Sequence, residues 1–540
     1  MRKTIISAVL CLAILFSLCG CKEGEEKITE KTKPVAVSEK SNSPVNLLCN
    51  TQDSLNPYTA VTVNNRNLCK LIFEPLVKAD NNFKPVKRIA KSVKISGKKC
   101  TVKLIDAVFS DGTPLTASDV IYCYNLAKNS SGIYKSHLYE VTSVSSPYSD
   151  TVVFNLSKND PYFANLLDFP IFKANSENRK NSDGVTKPPI GCGRYVPNDS
   201  KTALTLNNKF FGKKGEIKKI VLINAPDSDS ESHYIEIGAT EMYYSDLKDG
   251  KVSRMSGMRV NVNLNNFVYL GINLKSKELH NRDFRYAVSS ALDRKSICQT
   301  AYYNNALPAT GYFNPMLADV SAVQTLKETA DSEIIVENLK KIGYNKKDSD
   351  GYYVKDGENR HSFKLIVNSE NRSRVEAAKL IETQLKNAGI YVTVSEEPYK
   401  QYLSSLKRGY YDFYIGEISV LPNFDMSELV IAGGSVSFGV TKTVKNDKNK
   451  DKKKDKNAEK DKKNKKYVKE NTPAAIYKIM TEYDKGLASI SDVAGTLLTE
   501  LIQIPICYRQ GLFFYQDEIS SGVISCESDI YFSVENYKLK

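Results

Sequence analysis

Side chains that could support catalysis are few in this chain, and their spacing matches no familiar active site. The chain of 540 residues has only four histidines, and none is spaced for a metal site or a catalytic triad: His137, His233, His280 and His361. The pair Glu396-Glu397 would face opposite sides of a strand and could not cooperate. Gly433-Gly434-Ser435 is more typical of a flexible loop than of a nucleotide cradle. We therefore expect no enzymatic activity, no metal and no cofactor, and a hydrolase is the most remote alternative.

Cysteines are the other group with reactive potential. Of the eleven, Cys11 and Cys19 lie in the predicted signal peptide at 1–20, and Cys21 directly follows it. The other eight are scattered singly with no C-x-x-C pair, which argues against zinc and redox motifs. We expect most of them to be small buried thiols.

The N-terminus predicts the compartment. Arg2 and Lys3 precede an apolar run at 5–18 that is too short to span a bilayer comfortably. The Leu18-Cys19-Gly20-Cys21 sequence resembles a bacterial lipobox, in which Cys21 becomes the lipidated N-terminus. We expect a signal peptide at 1–20, a lipid on Cys21, a disordered tether at 22–43 and anchoring on the extracytoplasmic face of the cell membrane. The alternative is an ordinary signal peptide that happens to contain cysteines.

The positive charge is concentrated rather than spread. Of the net +14, residues 445–466 contribute +7 and Arg2 with Lys3 contribute +2, so the rest carries only +5. Because no basic face with interleaved aromatic residues is apparent, we expect no nucleic-acid binding. The lysine-rich residues 441–470 have little to bury and should be disordered.

One segment, residues 101–128, predicts a clear local structure. An alternating strand runs into the Asp111-Gly112 turn, and Thr116 with Asp119 forms a capping box that opens an apolar helix. Further along, a βαβ unit is predicted from a strand at 363–367, a helix at 374–388 and a strand at 390–394, followed by a strand at 411–415.

The residue order of the 101–128 segment resembles a pattern of the oligopeptide/dipeptide/nickel family of extracytoplasmic solute-binding proteins (family 5), which serve ABC importers. The matching residues are Phe109, Asp111, Gly112, Pro114, Thr116, Ala117, Asp119 and Val120. Residues 189–195, 283–294, 307–315 and 501–515 resemble later passages of the same family.

The resemblance implies an α/β, two-lobed, periplasmic-binding-protein-like fold (type II, cluster C) with two hinge strands. It implies a first lobe at 44–268 with an inserted subdomain at about 84–190, a second lobe at 269–502, and a C-terminal return at 503–540. Strands near 267–272 and 502–508 would connect the lobes. Locally, we expect a helix at 68–77, one at 287–297 and one at 337–344.

The resemblance also implies a function and partners. The chain would be a monomeric, membrane-anchored substrate-binding protein that closes over an oligopeptide-like solute and delivers it to ABC permease subunits. The alternative is a peptide or pheromone sensor of the same fold that serves no transporter of its own.

Ligand-contacting residues are predicted from three loops that the family places at the cleft, at 51–65, 309–315 and 416–425. This chain lacks the aspartate with which peptide-binding relatives clamp the ligand's α-amino group. Glu417 or Asp425 could substitute, or the ligand could lack a free amine. The alternative is that both acids are solvated loop residues. The candidates are Asn56, Tyr58, Asn64, Asn65, Tyr312, Glu417, Ser419, Asn423 and Asp425.

Overall fold

Two long antiparallel strands run through the middle of the fold in this computed structural model. Met258–Ile272 and Gln503–Tyr515 pair along most of their length, with register shifts between Asn263 and Phe267 and between Val268 and Tyr269. A register shift of this kind leaves a residue unpaired and bends the ladder locally. The strands predicted at 267–272 and 502–508 are parts of these two longer strands.

The structure describes residues 45–248, 256–440 and 472–540. The predicted signal peptide, the predicted lipidation site Cys21, the tether at 22–43 and the lysine-rich residues 441–470 lie outside the described residues. Within the described ranges, no helix combines the length and apolarity that a bilayer crossing requires.

The two long strands belong to two different hydrophobic cores. Val262, Leu264 and Phe513 are buried in a first core, which also contains the apolar residues of the 101–128 segment. Residues 267–272 and 504–508 are buried in a second core. The elements around the first core form lobe 1 and those around the second core form lobe 2, and the two strands connect the lobes. Where each lobe ends along the sequence, including the 84–190 subdomain, stays a prediction.

Lobe 2 is built on a mixed sheet that includes both long strands. Its other strands are Met242–Ser245, Phe413–Ser419, Phe363–Asn368, Val392–Glu397 and Ala306–Pro308. Phe363–Asn368 runs parallel to Val392–Glu397, and the helix Arg372–Asn387 joins them. The predicted βαβ unit is thus present in the structure.

Two glycines allow the central strands of this sheet to pack. Tyr269 lies opposite Gly416, and Gly271 lies opposite Tyr414 on the same pair of strands. A Cβ added to Gly271 would lie 2.1 Å from the Tyr414 ring, and one added to Gly416 would lie 2.4 Å from the Tyr269 ring. Both positions therefore need glycine because a tyrosine ring fills the space above each of them.

Lobe 1 contains two four-stranded sheets. In one, Val45–Cys49 pairs in parallel with Lys219–Asn224, and Ala203–Leu206 and Tyr195–Pro197 follow in antiparallel order. The other is antiparallel, with the strand order Ala90–Ser96, Lys99–Leu104, Thr151–Leu156 and Val141–Tyr148.

The 101–128 segment folds as predicted. The strand Lys99–Leu104 is followed by a turn in which Gly112 has φ +94°, and the helix spans Ala117–Asn129. The Asp119 carboxylate accepts from the Thr116 backbone N–H at 3.0 Å and from its hydroxyl at 2.8 Å. The capping box therefore sets where the helix begins.

Three helix predictions need correction. The helix expected at 337–344 is Ser332–Lys341, because Asp331 caps it earlier. The helix expected at 68–77 is Val63–Ile72, because Thr62 caps it earlier and the chain is extended from Phe73 onward. The single helix expected at 287–297 is two helices, Arg282–Ser290 and Arg294–Thr300. The Asp293 carboxylate accepts from the Ser296 N–H at 2.8 Å and so caps a new helix instead of continuing the first.

The full set of α-helices in the described ranges, and the short strand pairs outside the larger sheets, are as follows. The helices are Val63–Ile72, Ala117–Asn129, Ile133–His137, Ser228–Glu236, Lys277–His280, Arg282–Ser290, Arg294–Thr300, Ser332–Lys341, Arg372–Asn387, Tyr399–Arg408, Ser427–Val430, Ala474–Asp484 and Ile490–Glu500. Short strand pairs are Glu74–Pro75 with Pro170–Ile171, Val77–Ala79 with Pro85–Lys87, Lys346–Lys347 with Tyr353–Val354, and Ile519–Ser521 with Lys538–Leu539.

Candidate functional site

A cavity of about 300 Å³ lies between the two lobes. This volume is at the lower end of the range of about 300–1,000 Å³ that is usual for small-molecule sites. Apolar and aromatic side chains make up much of its wall, and a few charged side chains interrupt them. The principal lining residues are Lys70, Phe73, Lys78, Asp80, Phe83, Tyr134, His137, Asn165, Asp168, Ser419, Val420, Leu421, Pro422 and Glu527.

Lobe 2 contributes residues 419–422, which follow the strand Phe413–Ser419. This segment is held from both sides by buried asparagines. The side-chain amide of Asn265, in the register shift of the long strand, donates to the carbonyls of Val420 at 3.2 Å and Leu421 at 3.3 Å. The amide of Asn165, in lobe 1, donates to the Pro422 carbonyl at 3.1 Å. The position of the 419–422 segment therefore depends on both lobes at once.

A second contact between the lobes lies beside the cavity and is ionic. The Lys158 ammonium of lobe 1 is 2.6 Å from the Asp425 carboxylate and 3.5 Å from that of Asp484, both in lobe 2. The Asn423 amide donates to the Asp160 carboxylate at 2.8 Å. These bonds, which we call the Lys158 contact, join the two lobes directly.

Lys78 lines the cavity and belongs to a fully paired group that includes Glu74. The Lys78 ammonium lies 2.7 Å from Asp529 and 3.1 Å from Glu74, and Arg88 also contacts Glu74 at 2.9 Å. Burial alone would raise the pKa of Glu74, but the charges of Lys78 and Arg88 outweigh it and lower that pKa to about 2. This group is therefore neutralised without a ligand.

His137 and Asp168 form another pair in the wall. The ring Nδ1 lies 2.8 Å from the Asp168 carboxylate. Burial would lower the pKa of His137, but the charge and hydrogen bond of Asp168 outweigh it, so the pKa is raised. The imidazole thus carries positive charge up to a higher pH than a free histidine.

Comparison with known proteins identifies the family. The model of the bacterial extracellular solute-binding proteins, family 5, matches residues 84–435, which is well over half of the chain. The chain belongs to this family. Oligopeptide-binding protein AppA of Bacillus subtilis is 25% identical over 436 residues, covering 72% of this chain and 76% of that protein.

Solved structures of family members share the fold. An ABC transporter substrate-binding protein from Sinorhizobium meliloti superposes with a TM-score of 0.69 at 18% identity, covering 92% of this chain and 99% of that one. NikA from Brucella suis, solved with Fe(III)-EDTA, superposes with a TM-score of 0.65 at 17% identity, covering 92% and 100%. The predicted two-lobed α/β fold is confirmed, and likeness at 17–18% identity shows the fold alone.

Glu417 and Asp425, the predicted substitutes for the family's amino-group clamp, are both engaged within the protein. The Glu417 carboxylate lies 2.6 Å from Arg374 and 2.7 Å from Arg509. Burial would raise its pKa, but the two guanidinium charges lower it to about 2. Asp425 is bound by Lys158 and by the Ser427 N–H at 2.8 Å. Neither residue lines the cavity, and each already has its counter-ion.

Of the other candidates, Ser419 lines the cavity and the rest lie outside it. Tyr312 is buried in the second core and donates to the Gln503 carbonyl at 2.7 Å. Asn65 donates to the carbonyls of Asn50 and Ser54, and Asn64 donates to Glu231. The Asn56 side chain accepts from the Tyr58 N–H, and the Tyr58 hydroxyl donates to the Pro170 carbonyl. The Asn423 amide donates to the Asp160 carboxylate.

Most of the charged side chains in the cavity wall were not predicted from the sequence. Lys70 carried a usable signal, since it interrupts the apolar run Leu68–Ile72, whose other members are buried. A lysine within such a run must pair or face a cavity. His137, Asp168 and Glu527 had no such signal because they are distant in sequence and only the fold brings them together.

Replacing Glu417 should reveal its structural role. In Glu417→Gln the two guanidinium groups lose their buried counter-ion, so we expect the free energy of unfolding in urea to fall by about 3–5 kcal/mol. Since the folded pKa is about 2 and the ordinary value is 4.5, this deficit should shrink as the pH falls through that interval.

The matched control is Glu396→Gln, because Glu396 pairs with Lys379 at 2.9 Å while its side chain is 42% exposed. We expect this variant to unfold like the wild type. If Glu417→Gln retained full stability and instead lost ligand affinity, the result would contradict the structural role and support Glu417 as the residue that binds the ligand's amino group.

Proposed function

We propose that this protein is the substrate-binding component of an ABC importer and captures an oligopeptide-like solute in the cavity between its lobes. The observation that carries the proposal is the construction of that cavity. Its walls come from both lobes, and residues 419–422 are bonded to lobe 1 through Asn165 and to the crossing strand through Asn265. A solute bound there contacts both lobes, so its binding energy favours closure.

The wall chemistry supports a peptide-like solute. Phe73, Phe83 and Tyr134 offer apolar surface, while Lys70 and Glu527 offer opposite charges. Peptides combine apolar side chains with charged ends, and a cavity with both features can hold them. The oligopeptide-binding name of the Bacillus subtilis relative agrees with this proposal.

Delivery follows from closure. A permease distinguishes a loaded from an empty binding protein if the two differ in the arrangement of their lobes. The Lys158 contact joins the lobes next to the cavity, so it contributes to the closed form that we expect the permease subunits to recognise.

Ligand capture can be tested directly. The protein purified from its native host should carry small solutes that native mass spectrometry detects and fragmentation sequences as peptides. After these solutes are removed, a peptide mixture should raise the melting temperature, because a ligand that binds only the folded state stabilises it. A different solute class in the bound mass, with no thermal shift from peptides, would overturn the peptide assignment. If the protein bound peptides but deletion of its gene left peptide uptake intact, the result would favour the alternative function of a peptide sensor.

We also propose that Cys21 carries the lipid that holds the protein on the extracytoplasmic membrane face. The lipobox-like spacing supports this site. The expected result is that Cys21→Ser releases the protein from the membrane fraction and removes labelling by palmitate, since the anchoring chains are gone. Cys19→Ser is the matched control and should stay in the membrane fraction. Loss of labelling in Cys19→Ser with retention in Cys21→Ser would refute the assignment.

A further inference from the structure

Lys70 differs from the other cavity lysine in its surroundings. The Lys78 ammonium has two carboxylates within 3.1 Å. Within the described ranges, no carboxylate lies within 4.0 Å of the Lys70 ammonium, and its hydrogen bond goes to the Glu527 backbone carbonyl at 3.3 Å. Burial lowers the pKa of Lys70, so the charged form is held there at a cost.

Glu527 is the corresponding anion on the cavity wall. One carboxylate oxygen accepts from the Asn265 N–H at 3.0 Å. In the part of the chain that the structure describes, no cation lies within salt-bridge distance of this carboxylate. Burial raises its pKa, and the hydrogen bond and the nearby charges of Lys70 and His137 offset only part of that effect. A cation and an anion thus share one cavity without neutralising each other.

We propose that Lys70 and Glu527 hold the two ends of a zwitterionic short peptide. The Lys70 ammonium binds the ligand carboxylate, and the Glu527 carboxylate binds the ligand ammonium. This inference rests on the peptide-capture function proposed above and adds the end-group chemistry, the residues and the length. Each bond pairs a charge that burial penalises with an opposite charge, which makes both bonds favourable in a cavity of low dielectric.

The cavity volume limits the length of the peptide. A volume of about 300 Å³ is at the lower end of the range for small-molecule sites. It therefore favours short ligands, and we infer dipeptides and tripeptides. A nonapeptide would leave most of its length outside this cavity.

Asn265 connects the proposed ammonium site to closure. Its backbone N–H donates to Glu527, and its side-chain amide holds the carbonyls of Val420 and Leu421. One residue of the crossing strand therefore contacts both the proposed ligand anchor and the 419–422 segment. Binding at Glu527 should favour the arrangement in which that segment covers the cavity.

The test uses end-blocked peptides as probes. Native mass spectrometry of ligand-free protein would compare an equimolar mixture of dipeptides and tripeptides with the same mixture N-acetylated, the same mixture C-amidated, and a mixture of nonapeptides. We expect each blocked mixture and the nonapeptides to bind at least tenfold more weakly than the free short peptides. Glu527→Gln should abolish the preference for a free ammonium, and Lys70→Met should abolish the preference for a free carboxylate.

Matched controls separate these effects from general damage. Glu396→Gln alters a carboxylate outside the cavity, which pairs with Lys379 at 2.9 Å, and Lys91→Met alters an exposed lysine. Both should retain both preferences, and all variants should melt within a few degrees of the wild type. If blocked or long peptides bound as well as free short ones, the charge-pair proposal would fail while peptide capture stood. If no peptide bound in any form, the proposed function itself would fail.

Discussion

The pairing of Met258–Ile272 with Gln503–Tyr515 is the constraint on which the rest of the structure depends. These two strands belong to both cores, so neither lobe can be placed without them. Where they pass from one core to the other, the ladder is interrupted between Asn263 and Phe267. Backbone and amide groups freed at a buried interruption must find other partners, because unpaired buried polar groups are costly.

A chain of amides meets most of that requirement, although the buried side-chain oxygen of Asn265 has no hydrogen-bond partner among the described residues. Asn263 donates to the Asn81 carbonyl at 3.0 Å, Gln510 donates to Asn263 at 2.7 Å, and Asn261 donates to Gln510 at 3.0 Å. Two residues further on, the Asn265 backbone N–H donates to the Glu527 carboxylate, and its side-chain amide donates to the 419–422 segment. The interruption that allows the strands to bend therefore also supplies the contacts that build the cavity.

Charge is distributed in a way that separates structural from ligand-facing groups. Glu417 joins Arg374 on a lobe 2 helix to Arg509 on the return strand, and Glu74 joins Lys78 to Arg88. Each charge in these groups has an oppositely charged partner within the protein. Among the described residues, Lys70 and Glu527 have no such partner, and both lie on the cavity wall. The neutralised ion pairs stabilise the fold. Lys70 and Glu527 are the charged groups that we propose a ligand neutralises.

The fold was largely predictable from sequence because its signals are local. The Thr116–Asp119 capping box and the periodicity of Arg372–Asn387 are set by neighbouring residues, and the structure follows both. The break at Asp293 was missed because a capping side chain overrode an otherwise helical pattern.

The cavity was much less predictable. Glu417 was chosen for its position in a loop that the family uses, but its two arginine partners are 43 and 92 residues away in sequence. Glu527 lies 457 residues from Lys70, whose ammonium bonds to its carbonyl. Pairing over such separations is decided by the folded chain, and no periodicity or motif encodes it.

The most direct test of the account is the distance between the lobes with and without ligand. Tyr139 and Leu487 are 79% and 75% exposed and flank the Lys158 contact from opposite lobes, so Tyr139→Cys and Leu487→Cys can carry spin labels. The eight cysteines within the described ranges are buried and should stay unlabelled. Double electron–electron resonance should show a longer, broader distance distribution in ligand-free protein and a shorter, narrower one with the co-purified solute. An identical distribution in both states, with binding confirmed on the same sample, would contradict capture by lobe closure.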